Sequence, residues 1–276
     1  MSSSSTIKNI ALGVRVSGLL VAFSLSGCRQ DYSLNPPPDS EQVIVTVKVP
    51  EELKAETMQV MYRSTLCTFI NHNANGTPYS RDGYQQIELE PMRQGKTELY
   101  QTKLAIDGGG ACKWRLSNVT FGVAYVYPTR FGEDVRYGAG GGMVVIFDHN
   151  NSPRGGATWK VEGDLNVQKD YYPWLHQSFI GGDKQSISLA GEGKIYLTYE
   201  AINARHVYFE PILHSNFVLR SLGPKEKKGG EYTSYTYPDG TVFADGRSHP
   251  NFRKLEEIRL SAENKQGQPE PGPGSE

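Results

Sequence analysis

Three cysteines carry most of the chemistry that this 276-residue sequence can be asked to do. Cys28 closes the run Leu25-Ser26-Gly27-Cys28, an aliphatic residue and two small residues ahead of a thiol. This is the bacterial lipobox pattern: the small residues fit the signal peptidase, and the thiol accepts a diacylglyceryl group. Lys8, Arg15 and the short apolar core Val16–Leu25 precede it in the order a signal peptide requires, and that core is too short to span a membrane. The alternative is an ordinary secretory signal with a cysteine there by chance. Cys67 and Cys112 remain. In an oxidising compartment a disulfide between them is the economical expectation, and two buried free thiols are the alternative. No paired-cysteine spacing suggests a metal site, and no metal or cofactor is expected.

Other candidate motifs fail on their residues. Gly246-Arg-Ser-His-Pro250 is the nearest approach to the nucleophile elbow of esterases, but it lacks the final glycine and has a rigid proline instead. Tyr137-Gly-Ala-Gly-Gly-Gly142 invites a phosphate-loop reading, yet no Lys-Ser/Thr pair follows and a strand pattern comes next. That segment and Gly191-Glu-Gly-Lys194 are read as turns or close backbone approaches. The histidines at 72, 149, 176, 206, 214 and 249 are scattered, none spaced as a ligand pair with a nearby carboxylate. No catalytic constellation emerges, so the chain is read as a non-enzyme. Two aromatic groups are candidate partner contacts: Tyr171, Tyr172 and Trp174 in a proline-broken, loop-like stretch, and Tyr235 and Tyr237 beside a later hairpin. The alternative is that these rings pack on their own domain.

The elements that would position these groups are mostly strands. Glycine at 30 and tyrosine at 16 residues suit a loop-rich β protein. Residues 108–125 hold the longest apolar alternation. Cys112, Trp114 and Leu116 form one set, and Val119, Phe121, Val123 and Tyr125 a second set shifted by one residue. A strand keeps a period of two, so the shift predicts a bulge near Ser117-Asn118. Strands are also expected at 43–49, around Met58–Tyr62, at 85–90 and at 97–107, the last two joined by a turn at Met92–Gly95 as a hairpin. Met143–Phe147, apolar on both faces, reads as an interior strand. Beyond a connection at 149–156, short strands are expected at 158–161, 186–189, 194–200, 206–209 and 217–219, then a hairpin over 232–243. The best helix candidate is Pro250–Leu260, with Phe252, Leu255 and Ile258 on one face, and a strand there is the alternative.

The domain plan is a signal peptide (1–27), a lipidated cysteine and tether (28–42) and a β-rich domain (43–261). The tether is semi-rigid through Pro36–Pro38, the β-rich domain has a candidate division into two lobes near 150–157, and 262–276 reads as a disordered tail. The fold class is all-β or mainly β, an antiparallel sandwich-like domain with long loops and at most one short C-terminal helix. Cleavage before Cys28 removes two basic residues and no acidic one, leaving 27 basic against 30 acidic residues. That balance argues against a nucleic-acid partner. Stable anchoring needs about two acyl chains, which lipidation of Cys28 would exceed. Arg29, rather than the aspartate typical of inner-membrane lipoproteins, points to the outer membrane, facing the periplasm.

The lipobox, the single β-rich periplasmic domain and the stretch Gly-Gly-Gly-Ala-Cys112-Lys-Trp114-Arg-Leu116 together resemble the lipoprotein immunity proteins encoded beside type VI secretion phospholipase effectors. The resemblance covers the signal and roughly residues 97–150. It implies a periplasmic protein that binds a toxic lipase and blocks its active site or its access to lipid. It assigns no inhibitory residues. The competing expectation is a structural or assembly lipoprotein of the envelope.

Overall fold

The computed structural model describes residues 31–150, 159–193 and 195–266. The signal peptide, Cys28 and residues 267–276 lie outside them. In chain order the elements are β1 (Gln42–Lys48), β2 (Leu53–Ala55), β3 (Met58–His72), β4 (Pro78–Leu89), β5 (Met92–Arg93), β6 (Leu99–Ala105), β7 (Asp107–Gly109), β8 (Trp114–Tyr125) and β9 (Val135–Tyr137). They continue with β10 (Gly141–Ile146), β11 (Trp159–Lys160), β12 (Leu165–Ser178), β13 (Lys184–Gly191), β14 (Tyr196–Glu200), β15 (His206–Leu213), β16 (Leu219–Leu222), β17 (Ser234–Thr236), β18 (Val242–Phe243) and α1 (Phe252–Gln266).

Two mixed sheets pack together. One runs β11-β14-β10-β8-β3-β4, with β2 and β7 also on β8. The other runs β18-β17-β16-β12-β15-β1-β6-β5, with β13 on β12 and β9 on β13. Their facing sides supply the main core. In β1 the alternation sends Val43, Val45 and Val47 inward, and β3 does the same with Met58, Val60 and Tyr62. Phe121 of β8 meets Phe209 of β15 edge-on across the gap, centroids 6.1 Å apart. The mainly β expectation holds. The ladders are not all antiparallel, however: β1 and β12 each run parallel to β15, and β10 runs parallel to β14. Nor is there a division near 150–157, because strands from both sides of that connection interleave in each sheet.

The phase shift in β8 is a bulge at Ser117: Met61 pairs with Asn118, but the next residue, Tyr62, pairs with Leu116. It lets both apolar sets of β8 reach buried positions, and Ser117 itself is sealed. The Met143–Phe147 run is an interior strand, β10, flanked by β8 and β14. One expected hairpin is not made. The strand ending at Leu89 pairs with β3 in the first sheet, whereas β6 pairs with β1 and β5 in the second. The chain therefore changes sheets at Glu90-Pro91, and the hairpin around Gly95 joins only β5 to β6.

The helix forms over Phe252–Gln266. It overruns the expected tail boundary by five residues, because its apolar stripe has a surface to cover. Leu255 is buried, with Phe252 and Ile258 beside it, against Tyr172, Leu219, Tyr235 and Tyr237 on the outer face of the second sheet. The tether also ends earlier than expected. The Trp114 indole donates to the Tyr32 carbonyl at 3.0 Å, and the Asn35 amide donates to the Gly108 carbonyl at 2.9 Å. A Cβ at Gly109 would stand 2.0 Å from the Asn35 carbonyl oxygen, and one at Gly110 2.4 Å from that of Ser33. The glycines of the Gly-Gly-Gly-Ala-Cys run are thus the seat on which residues 32–37 lie.

Candidate partner-binding surface

The aromatic groups chosen from the sequence are placed in the interior. Tyr171, Tyr172 and Trp174 belong to strand β12, not to a loop. Pro173 is tolerated there because it falls between two ladders. Tyr171 is the last residue paired with β15, and Trp174 the first paired with β16. Tyr171 faces the main core, and Tyr172, Tyr235 and Tyr237 are covered by α1. All four are buried, so they are structural rather than contact residues. Trp174 is half-buried, and its indole donates to Ser221 at 2.7 Å. Of the two alternatives, self-packing is the one these rings adopt.

What the fold does expose is an arm. Beyond Ser64, β3 leaves β8 and pairs only with β4, through Phe69–Arg81 to His72–Pro78. The register puts Phe69, Asn71, Tyr79 and Arg81 on one face and Ile70, His72, Pro78 and Ser80 on the other. Neither face packs on a core. Leu66, Ile70 and Tyr84 are 60%, 64% and 58% exposed, and Tyr79 is exposed too. Phe69 stacks edge-on with Tyr84 at 5.5 Å, under the Arg81 guanidinium. Asn73–Thr77 make the tip, with the Asn73 side chain accepting from the Asn75 and Thr77 amides. β4 is also the terminal strand of its sheet, so its outer edge is open. The sequence carries a signal for this arm, Asn75-Gly76 between two strand-like runs.

The arm's base is braced. Cys67 and Cys112 form the expected disulfide, with Cα atoms 5.4 Å apart. Ser64 Oγ donates to the Cys112 carbonyl and accepts from the Leu66 and Cys67 amides, both at 3.1 Å. Gly83 admits the Cys67 carbonyl to a place where any Cβ would collide with it, at 1.9 Å. The bulge in β3, the disulfide and the 108–114 loop therefore fix the arm to the seat of residues 32–37.

A polar cleft of about 830 Å³ opens elsewhere, around Glu56. The Tyr137 and Tyr196 hydroxyls donate to the two oxygens of its carboxylate at 3.0 and 3.1 Å. Burial, then the Glu56 charge, pushes the Tyr196 phenol up to about 12 and raises that of Tyr137. Both stay protonated, and the trio latches the chain after β2 to β9 and β14. The glycine-rich run 138–142 crosses from β13 to β8 nearby. Its glycines serve close approach: a Cβ at Gly141 would stand 2.2 Å from the Tyr171 ring.

Histidines meet carboxylates in space where sequence spacing showed none. His214 Nε2 lies 2.6 Å from Asp170 Oδ1, and His206 Nδ1 lies 3.0 Å from Asp164 Oδ2. The first ties the residue after β15 to β12, and the second ties the start of β15 to the residue before β12. A serine also meets a histidine, Ser221 Oγ to His176 Nδ1 at 2.8 Å. That serine is buried and accepts the Trp174 N–H, which suits a link between strands better than an accessible nucleophile. Burial lowers the pKa of His176. Among the described residues, no group of three or more potential ligands could hold a metal ion, and no helix is long and apolar enough to cross a membrane.

In comparisons with known proteins, the chain matches no family model, no curated protein and no solved structure.

Proposed function

We propose that this chain is a lipid-anchored protein of the bacterial envelope that binds a protein partner through the β3–β4 arm. On the resemblance of its lipobox and its Gly-Gly-Gly-Ala-Cys112-Lys-Trp114 stretch, the partner is a type VI secretion phospholipase effector, which it holds inactive in the periplasm. The observation that carries the docking reading is the arm: Leu66, Ile70, Tyr79 and Tyr84 stand in solvent on a hairpin held rigid at its base by the Cys67–Cys112 bond. Apolar and aromatic side chains on a braced support lose little entropy on binding, which is what interface anchors need. A stable inhibitor interface buries about 1,200–2,000 Å² in total. Two faces and an open strand edge can supply one partner's share.

The test uses the full chain and the lipase encoded beside it. The chain should suppress the lipase near one-to-one stoichiometry, and cells lacking it should lyse when siblings deliver the lipase. Ile70→Asp together with Tyr79→Asp should weaken binding by about 2 kcal/mol or more. Both side chains are exposed, so the urea midpoint should hold. Equal survival without the protein, and no binding of the lipase, would transfer the arm to the competing role of an envelope-assembly lipoprotein, where the open edge of β4 would serve strand addition.

A further inference from the structure

Residues 32–40 are built into the domain. The Tyr32 carbonyl accepts from the Trp114 indole at 3.0 Å, the Asn35 amide donates to the Gly108 carbonyl at 2.9 Å, and Asn35 bridges to Gly109. Leu34 packs against the main core, and Ser40 Oγ accepts from the Asp107 amide at 3.1 Å. Gly109 and Gly110 have φ of +57° and +70°, and neither has room for a Cβ beside the carbonyls of Asn35 and Ser33. A side chain at either would lift the segment off its seat.

What remains between this seat and the lipobox cysteine is short. Tyr32 follows Cys28 by four residues, and a chain spans at most about 3.6 Å per residue, so their Cα atoms are within about 14 Å of each other. A free tether over 28–42 would reach about 50 Å. A diacylglyceryl thioether lies at the base of the headgroup layer, which is about 5–8 Å thick on each side of a bilayer and takes up about half of the shorter reach. The surface around the seat suits such closeness. Tyr32 is 56% exposed, and tyrosine favours the headgroup level. Ala111 and Lys113, on the loop that carries the seat, are exposed, and a lysine there is drawn to anionic headgroups.

We propose that Tyr32 and the 109–113 loop form the surface this protein lays against the bilayer, held there by the four-residue leash to Cys28. The inference rests on the lipid-anchored reading above and not on the identity of the partner. Cys112 of the same loop braces the arm, so the arm springs from the bilayer-facing end and its partner is met at the lipid surface rather than away from it.

The full chain, acylated at Cys28 and reconstituted in phosphatidylethanolamine–phosphatidylglycerol vesicles, is labelled with a fluorophore at Ala111→Cys or at Tyr127→Cys. β8 starts at Trp114 and ends at Tyr125, about 35 Å further on, so Tyr127, 71% exposed, marks the opposite end. A lipid with a nitroxide headgroup should quench the dye at residue 111 at least threefold more than the dye at residue 127. Ten Gly/Ser residues inserted between Asp31 and Tyr32 slacken the leash outside the seat, and should reduce that difference by half or more. Equal quenching at the two sites, or a difference that the insertion leaves unchanged, would overturn the proposal. Mass spectrometry of the purified chain separates the two readings. An unacylated Cys28 would refute the anchor and this surface with it, whereas an acylated chain quenched equally at both sites refutes the surface alone.

Discussion

Removing the Cys67–Cys112 bond should do more than lower global stability. The two cysteines are 45 residues apart, and the chain-entropy model gives about 4 kcal/mol for closing a loop of that length. Replacing both by alanine removes that constraint from the unfolded chain. In the folded state it frees the arm, whose residues beyond Ser64 pair only with each other. An isolated two-stranded hairpin is marginal in water, so the arm should open first. With a urea m-value of about 3 kcal/mol per M, the midpoint should fall by about 1.3 M. Amides of Phe69–His72 and Tyr79–Arg81 should lose exchange protection well before those of β8 or β10. Reducing the wild-type protein should reproduce both effects. A midpoint shift below about 0.3 M, with arm amides protected as before, would refute the view that the disulfide braces the arm.

Tyr171→Phe should raise stability by about 1 kcal/mol in urea unfolding, because it removes a buried hydroxyl that has no hydrogen-bond partner among the described residues. Leu255→Ala empties a fully buried site under α1 and should cost about 2–4 kcal/mol, with the loss of α1 packing visible as increased exchange along Phe252–Gln266. Asp164 accepts from the Arg205 and His206 amides and from His206 Nδ1, which hold its pKa down at about 2. A carboxylate with a depressed folded-state pKa contributes stability that is present above its unfolded value and is lost as pH falls through its folded value. Acid unfolding between about pH 4 and pH 2 should therefore be shallower in Asp164→Asn than in the parent, in a circular-dichroism pH titration.

Much of the fold was legible because strand formation here is a matter of period. The valines of β1, the two-phase alternation of β8 and the apolar run of β10 each state their face and, for β8, even the bulge. What was not legible is pairing. Nothing local tells that Leu89 and Leu99 belong to different sheets, that β12 and β15 run parallel, or that His214 will meet Asp170. The aromatic contacts were misplaced for a related reason. Pro173 marks a loop in any reading of neighbours, and becomes compatible with a strand only where the ladder passes from β15 to β16. Residue type alone marks tyrosines as contact residues, but Tyr172, Tyr235 and Tyr237 are the surface that α1 covers. On the arm, Leu66, Ile70, Tyr79 and Tyr84 are exposed because no second sheet lies over them.

One short stretch concentrates these constraints. Residues 108–114 seat the N-terminal segment at Ser33 and Asn35, receive the arm's disulfide at Cys112, and start the central strand of the first sheet at Trp114, whose indole holds the Tyr32 carbonyl. The glycines are required where backbone meets backbone, the cysteine where the arm must be held, and the tryptophan where a large ring also has an N–H to donate. A motif assembled from such needs can be preserved by the fold alone. The proposed resemblance to the immunity lipoproteins therefore bears first on how the arm and the N-terminal segment are joined. Only through that joint does it bear on what the arm binds, which is why the arm's exposed side chains, and not the motif itself, are where the proposed function has to be tested.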